Sequence, residues 1–150
     1  MGHRGEAWVI AQIILFVLFA IAPQTGPSWP EYDLFRLAGW CLATVGIVLL
    51  VWSAFGLGRL LTPFPRPLPH GKLVTTGAYR FVRHPIYCAV FIGALGLSLA
   101  SENALRLALT AILFVFFDLK ARREEQWLQE QYPTYAAYKS RVKKLIPWIY

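Results

Sequence analysis

The sequence predicts an all-α integral membrane protein, a single domain over residues 1–150 with about four transmembrane helices, and three observations carry that reading. Hydrophobic residues make up 57% of the chain and charged residues 15%, with a mean hydropathy of +0.46, a balance far from that of soluble domains. The apolar residues gather in four stretches, about 8–22, 34–57, 86–100 and 104–119. In lipid the backbone must satisfy itself, so helices are the default for all four. Lys and Arg are placed asymmetrically: with four spans, all but Arg36 and Arg106 share one side with both termini. That bias marks the cytoplasmic side of a membrane, such as a bacterial inner membrane. It also absorbs most of the net charge of +7, so no nucleic-acid partner is implied.

The first stretch, Trp8 to Ala22, has a rival reading as a signal peptide, because Arg4 precedes a short apolar run ending in Ala20-Ile21-Ala22; Pro23 directly after that site argues against cleavage. Pro23 to Pro30 reads as a short outer loop. Leu34 to Leu57 is the stretch that alone reaches the ~20 residues a bilayer asks of a helix. The segment Thr62 to Gly71 carries alternate prolines, which rule out a helix and favour an extended strap, either a linker or a wall of a binding pocket. Pro85 suits the first turn of the third helix. Gly93 and Gly96, with Ala89, Ala94 and Ser98, offer small surfaces for close helix packing.

Ser101 is placed to cap the fourth helix, which should continue beyond the bilayer, since Asp118 to Gln131 contains neither Pro nor Gly. Pro133 ends it. Thr134 to Lys144 then sets Tyr135, Tyr138, Val142 and Leu145 against basic residues, the pattern of an interfacial helix that meets membrane lipids, with Trp148 and Tyr150 at headgroup level. Cys41 and Cys88 lie in apolar stretches and act as small hydrophobes. Three histidines, one at position 3, with no cysteine pair near them predict no metal centre.

Ionisable and aromatic residues bracket the third and fourth stretches, and polar groups beside lipid are usually functional. Glu124 or Glu125 suits a ligand ammonium, Arg83 or His84 a ligand carboxylate, and Tyr79 and Tyr87 offer aromatic faces. Lys120 lies one helical turn before Glu124, so both can look into one cavity. Each has a plainer reading: His84 as a helix cap, the glutamates as solvated charges, the tyrosines as interfacial anchors. These residue types suit several anionic or zwitterionic ligands without choosing among them.

Leu73-Val74-Thr75-Thr76-Gly77-Ala78-Tyr79-Arg80-Phe81-Val82-Arg83-His84-Pro85-Ile86-Tyr87, followed by Arg122-Arg123-Glu124-Glu125-Gln126-Trp127-Leu128 and by Tyr132-Pro133 through Ile146-Pro147, resembles the isoprenylcysteine carboxyl methyltransferase and phospholipid methyltransferase family. The resemblance covers 62–147, the half that would hold the cofactor. It implies a membrane methyltransferase that uses S-adenosyl-L-methionine and a lipophilic or lipid-linked acceptor. Carried over by position, it implies that Lys72, Leu73, Val74, Tyr79, Arg83, His84, Pro85, Ile86, Tyr87, Glu124 and Glu125 hold the cofactor, with His84, Tyr87 and Lys120 nearest the chemistry. Lys120 falls where the carboxyl methyltransferases carry an arginine facing the acceptor, and a lysine keeps the charge but loses the planar fork. Prenylated proteins, phospholipid amines and small hydrophobic thiols or acids all stay open as acceptors, and four short helices leave room for a homodimer. Two other readings compete: an NADPH-dependent membrane reductase of the sterol-reductase type, and a non-catalytic membrane scaffold.

Overall fold

The computed structural model describes residues 5–27 and 29–150; His3, Arg4 and Ser28, which entered the sequence reading, lie outside the described residues. The chain is helical, with helices α1 (Glu6–Ile21), α2 (Tyr32–Leu57), α3 (Pro85–Ala100), α4 (Ala104–Gln131) and α5 (Tyr135–Arg141). A short 3-10 turn at Gly58–Leu60 extends α2, and another at Gly77–Arg80 precedes α3. Gly77 opens that second turn at φ +61, a conformation that side-chain-bearing residues rarely adopt. Pro85 occupies the first turn of α3, as expected.

α2 and α3 form the tightest contact in the molecule because glycines meet across it. A Cβ at Gly46 would come within 2.7 Å of the Gly93 nitrogen, and Cβ atoms at Gly39 and Gly96 would overlap the backbones of Ala100 and Ala43. Gly39 lies beside Ala100 and Gly46 beside Gly93, so the helices run antiparallel. The small-residue surface read on α3 thus has a matching surface on α2, of Gly39, Ala43 and Gly46. α4 packs on the other side of α3 through Ala94, Leu113 and Phe117. There Ser98 Oγ and Thr110 Oγ1 share a buried hydrogen bond of 3.0 Å.

α1 has no buried residue and leans on α4 through aromatic contacts, Trp8 on Phe116 at 5.6 Å and Phe16 on Phe117 at 6.3 Å. Its far end is tied down by polar groups. Asn103 donates to the Pro23 carbonyl, and Thr25 Oγ1 accepts from the Leu105 nitrogen, which fastens the outer loop to the α3–α4 turn. Asn103, not Ser101, caps α4: its Oδ1 accepts from the Arg106 nitrogen at 3.1 Å. Ser101 lies two residues before that cap position, and its hydroxyl donates back to Leu97 at the end of α3.

Large apolar side chains cover the outside of this bundle. Ile10, Ile14, Ile21, Leu34, Leu37, Val48 and Phe55 are all exposed, a surface that water disfavours and lipid accepts. Only α2 with its 3-10 extension, Tyr32–Leu60, is by itself long and apolar enough to cross a membrane among the described residues. α1 and α3 have 16 residues each, about 24 Å of helical rise. α4, with 28 residues, continues past the bundle as expected.

The C-terminal segment departs from its expected role. α5 stops at Arg141, and the face predicted to enter the headgroup region is turned inward, with Tyr135, Tyr138 and Leu145 buried. Residues 142–145 leave the helix instead, with Val142 extended and the chain turning after Lys143. Val82 bridges to Lys143, while the Arg83 and His84 nitrogens donate to the Lys143 and Lys144 carbonyls at 2.8 and 3.1 Å. Trp148 and Ile149 remain exposed.

Candidate active site

At the end of the bundle opposite the Asn103 staple, the chain encloses a cavity of about 410 Å³. The proline strap forms one wall, through Pro63, Phe64, Pro65 and Pro67, so it is more than a linker. α1 contributes Gln12, α2 ends there at Leu57, α3 begins there with Ile86 and Tyr87, and α4 crosses it with Lys120, Glu124 and Leu128. Tyr135 and Tyr138 of α5 close the remaining side.

Behind the cavity lies a knot of charges that fixes the turn entering α3. Glu125 is 3% exposed, and its Oε1 accepts from Arg83 Nε at 2.8 Å and from His84 Nε2 at 3.2 Å. A carboxylate only accepts, so the His84 proton sits on Nε2. Lys139 Nζ reaches the other oxygen at 3.0 Å. Burial alone would push the Glu125 carboxyl up, but the hydrogen bonds from His84 and Arg83, with Lys139 adding to them, hold it well below the usual carboxylate range. The Arg83 guanidinium also donates to the carbonyls of Lys139 and Val142. Its Nε and Nη1 are therefore engaged in joining α4 to the tail.

The cavity face carries a second chain of contacts. Glu124 Oε2 accepts from Tyr87 Oη at 2.7 Å and lies 3.8 Å from His84 Nδ1. The His84 and Tyr87 rings stack at 5.3 Å, nearly parallel, and Tyr87 stacks in turn on Phe117 at 4.7 Å. These stacks fix the direction of the Tyr87 hydroxyl and, through it, the Glu124 carboxylate. Tyr138 Oη donates to the Tyr79 carbonyl, and burial followed by the charge of Glu124 pushes the Tyr79 phenol up, so it stays protonated. Lys120 Nζ, beneath the Tyr87 ring at 5.5 Å, donates to Gln12 Oε1 and to the Pro63 carbonyl.

Of the residues singled out from the sequence, Lys72, Leu73, Val74, Tyr79, Arg83, His84, Ile86, Tyr87, Lys120 and Glu124 line this one cavity. Pro85 and Glu125 do not: Pro85 is packed within the first turn of α3, and Glu125 turns toward Arg83 and Lys139. Adjacent residues on a helix point about 100° apart, so two neighbouring glutamates face different surroundings. Sequence reasoning missed Gln12, although it is the one polar residue inside the first apolar stretch. It also missed Tyr135, 1% exposed, whose ring lines the cavity and whose buried hydroxyl has no hydrogen-bond partner.

Such an arrangement can hold a small zwitterion. It offers a fixed carboxylate, a buried cation one turn away, aromatic faces and an apolar wall, the mixture expected of a ligand cavity. Comparisons with known proteins bear on the family and the fold. The family model described as phospholipid methyltransferase matches residues 34–135, more than half of the chain. The nickel-cobalt-cadmium resistance protein NccN of Alcaligenes xylosoxydans xylosoxydans is 29% identical over 97% of this chain and 65% of its own length. A probable protein-S-isoprenylcysteine O-methyltransferase of Oryza sativa subsp. indica is 30% identical over 82% of this chain and 66% of its own length. The chain thus spans about two thirds of the length of these curated relatives. The solved structure of the eukaryotic intramembrane Ras methyltransferase ICMT superposes with a TM-score of 0.71 at 24% identity, over 99% of this chain and 55% of that one, so the fold is shared. The fold, the match over 34–135 and the cavity residues lead to one conclusion: the chain belongs to the phospholipid methyltransferase family.

Proposed function

We propose that this chain is an S-adenosyl-L-methionine-dependent methyltransferase that acts on a lipophilic acceptor at the cytoplasmic face of a membrane it crosses four times. The observation that carries the reading is the fixed Glu124 carboxylate in a cavity walled by aromatic and apolar side chains. The residues present suit the cofactor. Glu124 would hold its ammonium, with Tyr79 and Tyr87 beside its sulfonium and Leu57, Leu60 and Val74 offering an apolar slot for the adenine. The unpartnered Tyr135 hydroxyl fits as well, since a buried orphan donor is relieved by a ligand.

When bound, the cofactor supplies an electrophilic methyl group on a cationic sulfur. The chain's own residues contribute alignment, which for such a displacement is the chief source of rate. Tyr87 and His84 hold Glu124 in place, and Glu125, Arg83 and Lys139 hold the turn that carries His84. In this reading Glu125 acts as a positioning residue. Lys120 faces the acceptor end of the cavity. The proline strap and α5 keep water from the reacting atoms.

The reading carries a topology with it. α1, α2, α3 and the first part of α4 cross the bilayer, with the cavity and both termini on the basic, cytoplasmic side. The exposed Trp148 sits at headgroup level. A homodimer would give a lipid-sized acceptor additional walls.

The test is transfer of a radiolabelled methyl group from S-adenosylmethionine to membrane extract by the full chain in lipid nanodiscs. Wild type is expected to label an organic-soluble product, and Glu124→Ala to fall at least 100-fold. Equal labelling by the two would refute the assignment.

A further inference from the structure

On the side of the charged knot that Glu125 faces, α4 and the C-terminal segment leave an open cleft of about 480 Å³. Four cations line it: Arg83, Arg122, Lys139 and Lys144. Two carboxylates meet them, and each is shared, Glu125 between Arg83 and Lys139 and Asp118 between Arg122 and Lys144. Four cations against two carboxylates leave an excess of two positive charges. Gln126 and Gln129 add amides at the rim, and the Gln126 oxygen accepts from Arg123, so its Nε2 is a further donor there.

Apolar surface leads into this cleft. On α4, Ile112, Val115 and Leu119 are exposed, and Arg122, Gln126 and Gln129 continue the same three-and-four spacing. One stripe of the helix therefore passes from apolar side chains to the cations. Arg122 lies about 4.5 Å along the axis from Leu119, a step that fits within the thin headgroup layer between hydrocarbon and water. From the tail, Tyr150 Oη accepts from Lys144 and Arg122, and its neighbours Trp148 and Ile149 stand exposed.

We propose that this cleft holds the phosphate of one anionic phospholipid of the cytoplasmic leaflet, with an acyl chain along Ile112, Val115 and Leu119. The two excess charges favour a headgroup that stays negative over one whose own ammonium cancels its phosphate. A soluble phosphate would use the cations and leave the apolar stripe idle. Arg83, held by Glu125 and the tail carbonyls, stands between the cleft and the cavity, so this lipid is a bound component and not the methyl acceptor. The site requires α4 to leave the bilayer near Leu119 and does not depend on the cofactor.

Native mass spectrometry of the full chain in nonionic detergent, with dioleoyl phosphatidylglycerol and dioleoyl phosphatidylcholine as probes, tests the site. One phosphatidylglycerol is expected per chain, retained at least 10-fold more strongly than phosphatidylcholine. Gln126→Glu with Gln129→Glu cancels the excess at two exposed positions, and the first keeps its contact with Arg123 as an ion pair. That variant should retain the two lipids within twofold of each other. Arg122→Gln, also at an exposed position, should lower phosphatidylglycerol retention at least 3-fold. Arg141→Gln with Lys143→Gln removes as much charge outside the cleft and should leave the preference intact. Equal retention of the two lipids by wild type, unchanged retention in Arg122→Gln, an undiminished preference in the double glutamate variant, or an equal loss in the Arg141, Lys143 variant would overturn the site. Displacement of phosphatidylglycerol by equimolar glycerol 3-phosphate would assign the cleft to a soluble phosphate and overturn the lipid. Cofactor is absent from every arm, so the result stands apart from the methyltransferase reading.

Discussion

The two ends of the bundle bury polar groups in different proportions. At the outer end Ser98, Thr110, Asn103 and Thr25 are neutral and satisfy one another or nearby carbonyls in hydrogen bonds, with the Nε of Arg106 the buried charged-group atom left without a partner there. At the inner end the buried groups include Lys120, His84 and Glu125, and the Tyr135 hydroxyl is left without a partner. Burying a charge is far more expensive than burying a hydroxyl, so fold stability alone would favour the outer pattern. The inner end keeps its charges beside a cavity of about 410 Å³, the setting expected of a ligand site.

Four perturbations separate the ends, from the largest expected effect to the smallest. Gly96→Leu drives a side chain into the backbone of Ala43 and separates α2 from α3, so both ends should fail together. A loss of about 3 kcal/mol or more is expected in unfolding followed in detergent, with cofactor-product binding lost alongside. Glu125→Gln leaves Arg83 and Lys139 without their counter-charge, at roughly 3 kcal/mol for a broken buried pair.

The same carboxylate sets a pH dependence. Its folded value lies below its unfolded one, so its stabilisation is complete above about pH 5 and is lost as pH falls below ~4 toward the depressed value. Thermal melts should therefore show wild type losing stability in acid more steeply than Glu125→Gln. Glu124→Gln should leave the melting temperature within a degree or two while weakening S-adenosylhomocysteine by about 2 kcal/mol, because this carboxylate faces the cavity and not the charged knot. Ser98→Ala removes two buried hydrogen bonds at the outer end, to the Ala94 carbonyl and to Thr110, worth about 1 kcal/mol of stability together, and should leave ligand affinity unchanged.

Legibility in the sequence follows the same division. Helices α1 to α4 and the strap were readable because lipid demands long apolar runs and alternate prolines forbid a helix. The cavity residues around Tyr79, His84, Tyr87, Lys120 and Glu124 were readable as a set, since polar groups beside lipid stand out and the family resemblance orders them. Three features were not. Tyr135 and Tyr138 have the spacing of an interfacial face, and spacing shows that a face is apolar without showing what covers it; the 142–145 segment holds them inward by pairing with 82–84. Gly39, Ala43 and Gly46 become an interface only once a partner helix is placed against them. By residue type alone Glu124 and Glu125 read as equivalent, and helical geometry sends one to the cavity and the other to Arg83.

The most direct measurement is calorimetric binding of S-adenosylhomocysteine to the detergent-purified chain, wild type beside Glu124→Ala and Ser98→Ala. Saturable binding to wild type and Ser98→Ala, weakened at least 30-fold in Glu124→Ala, is the result predicted. Absence of binding by folded wild type, or equal affinity in Glu124→Ala, would contradict the assignment of the inner cavity to the cofactor.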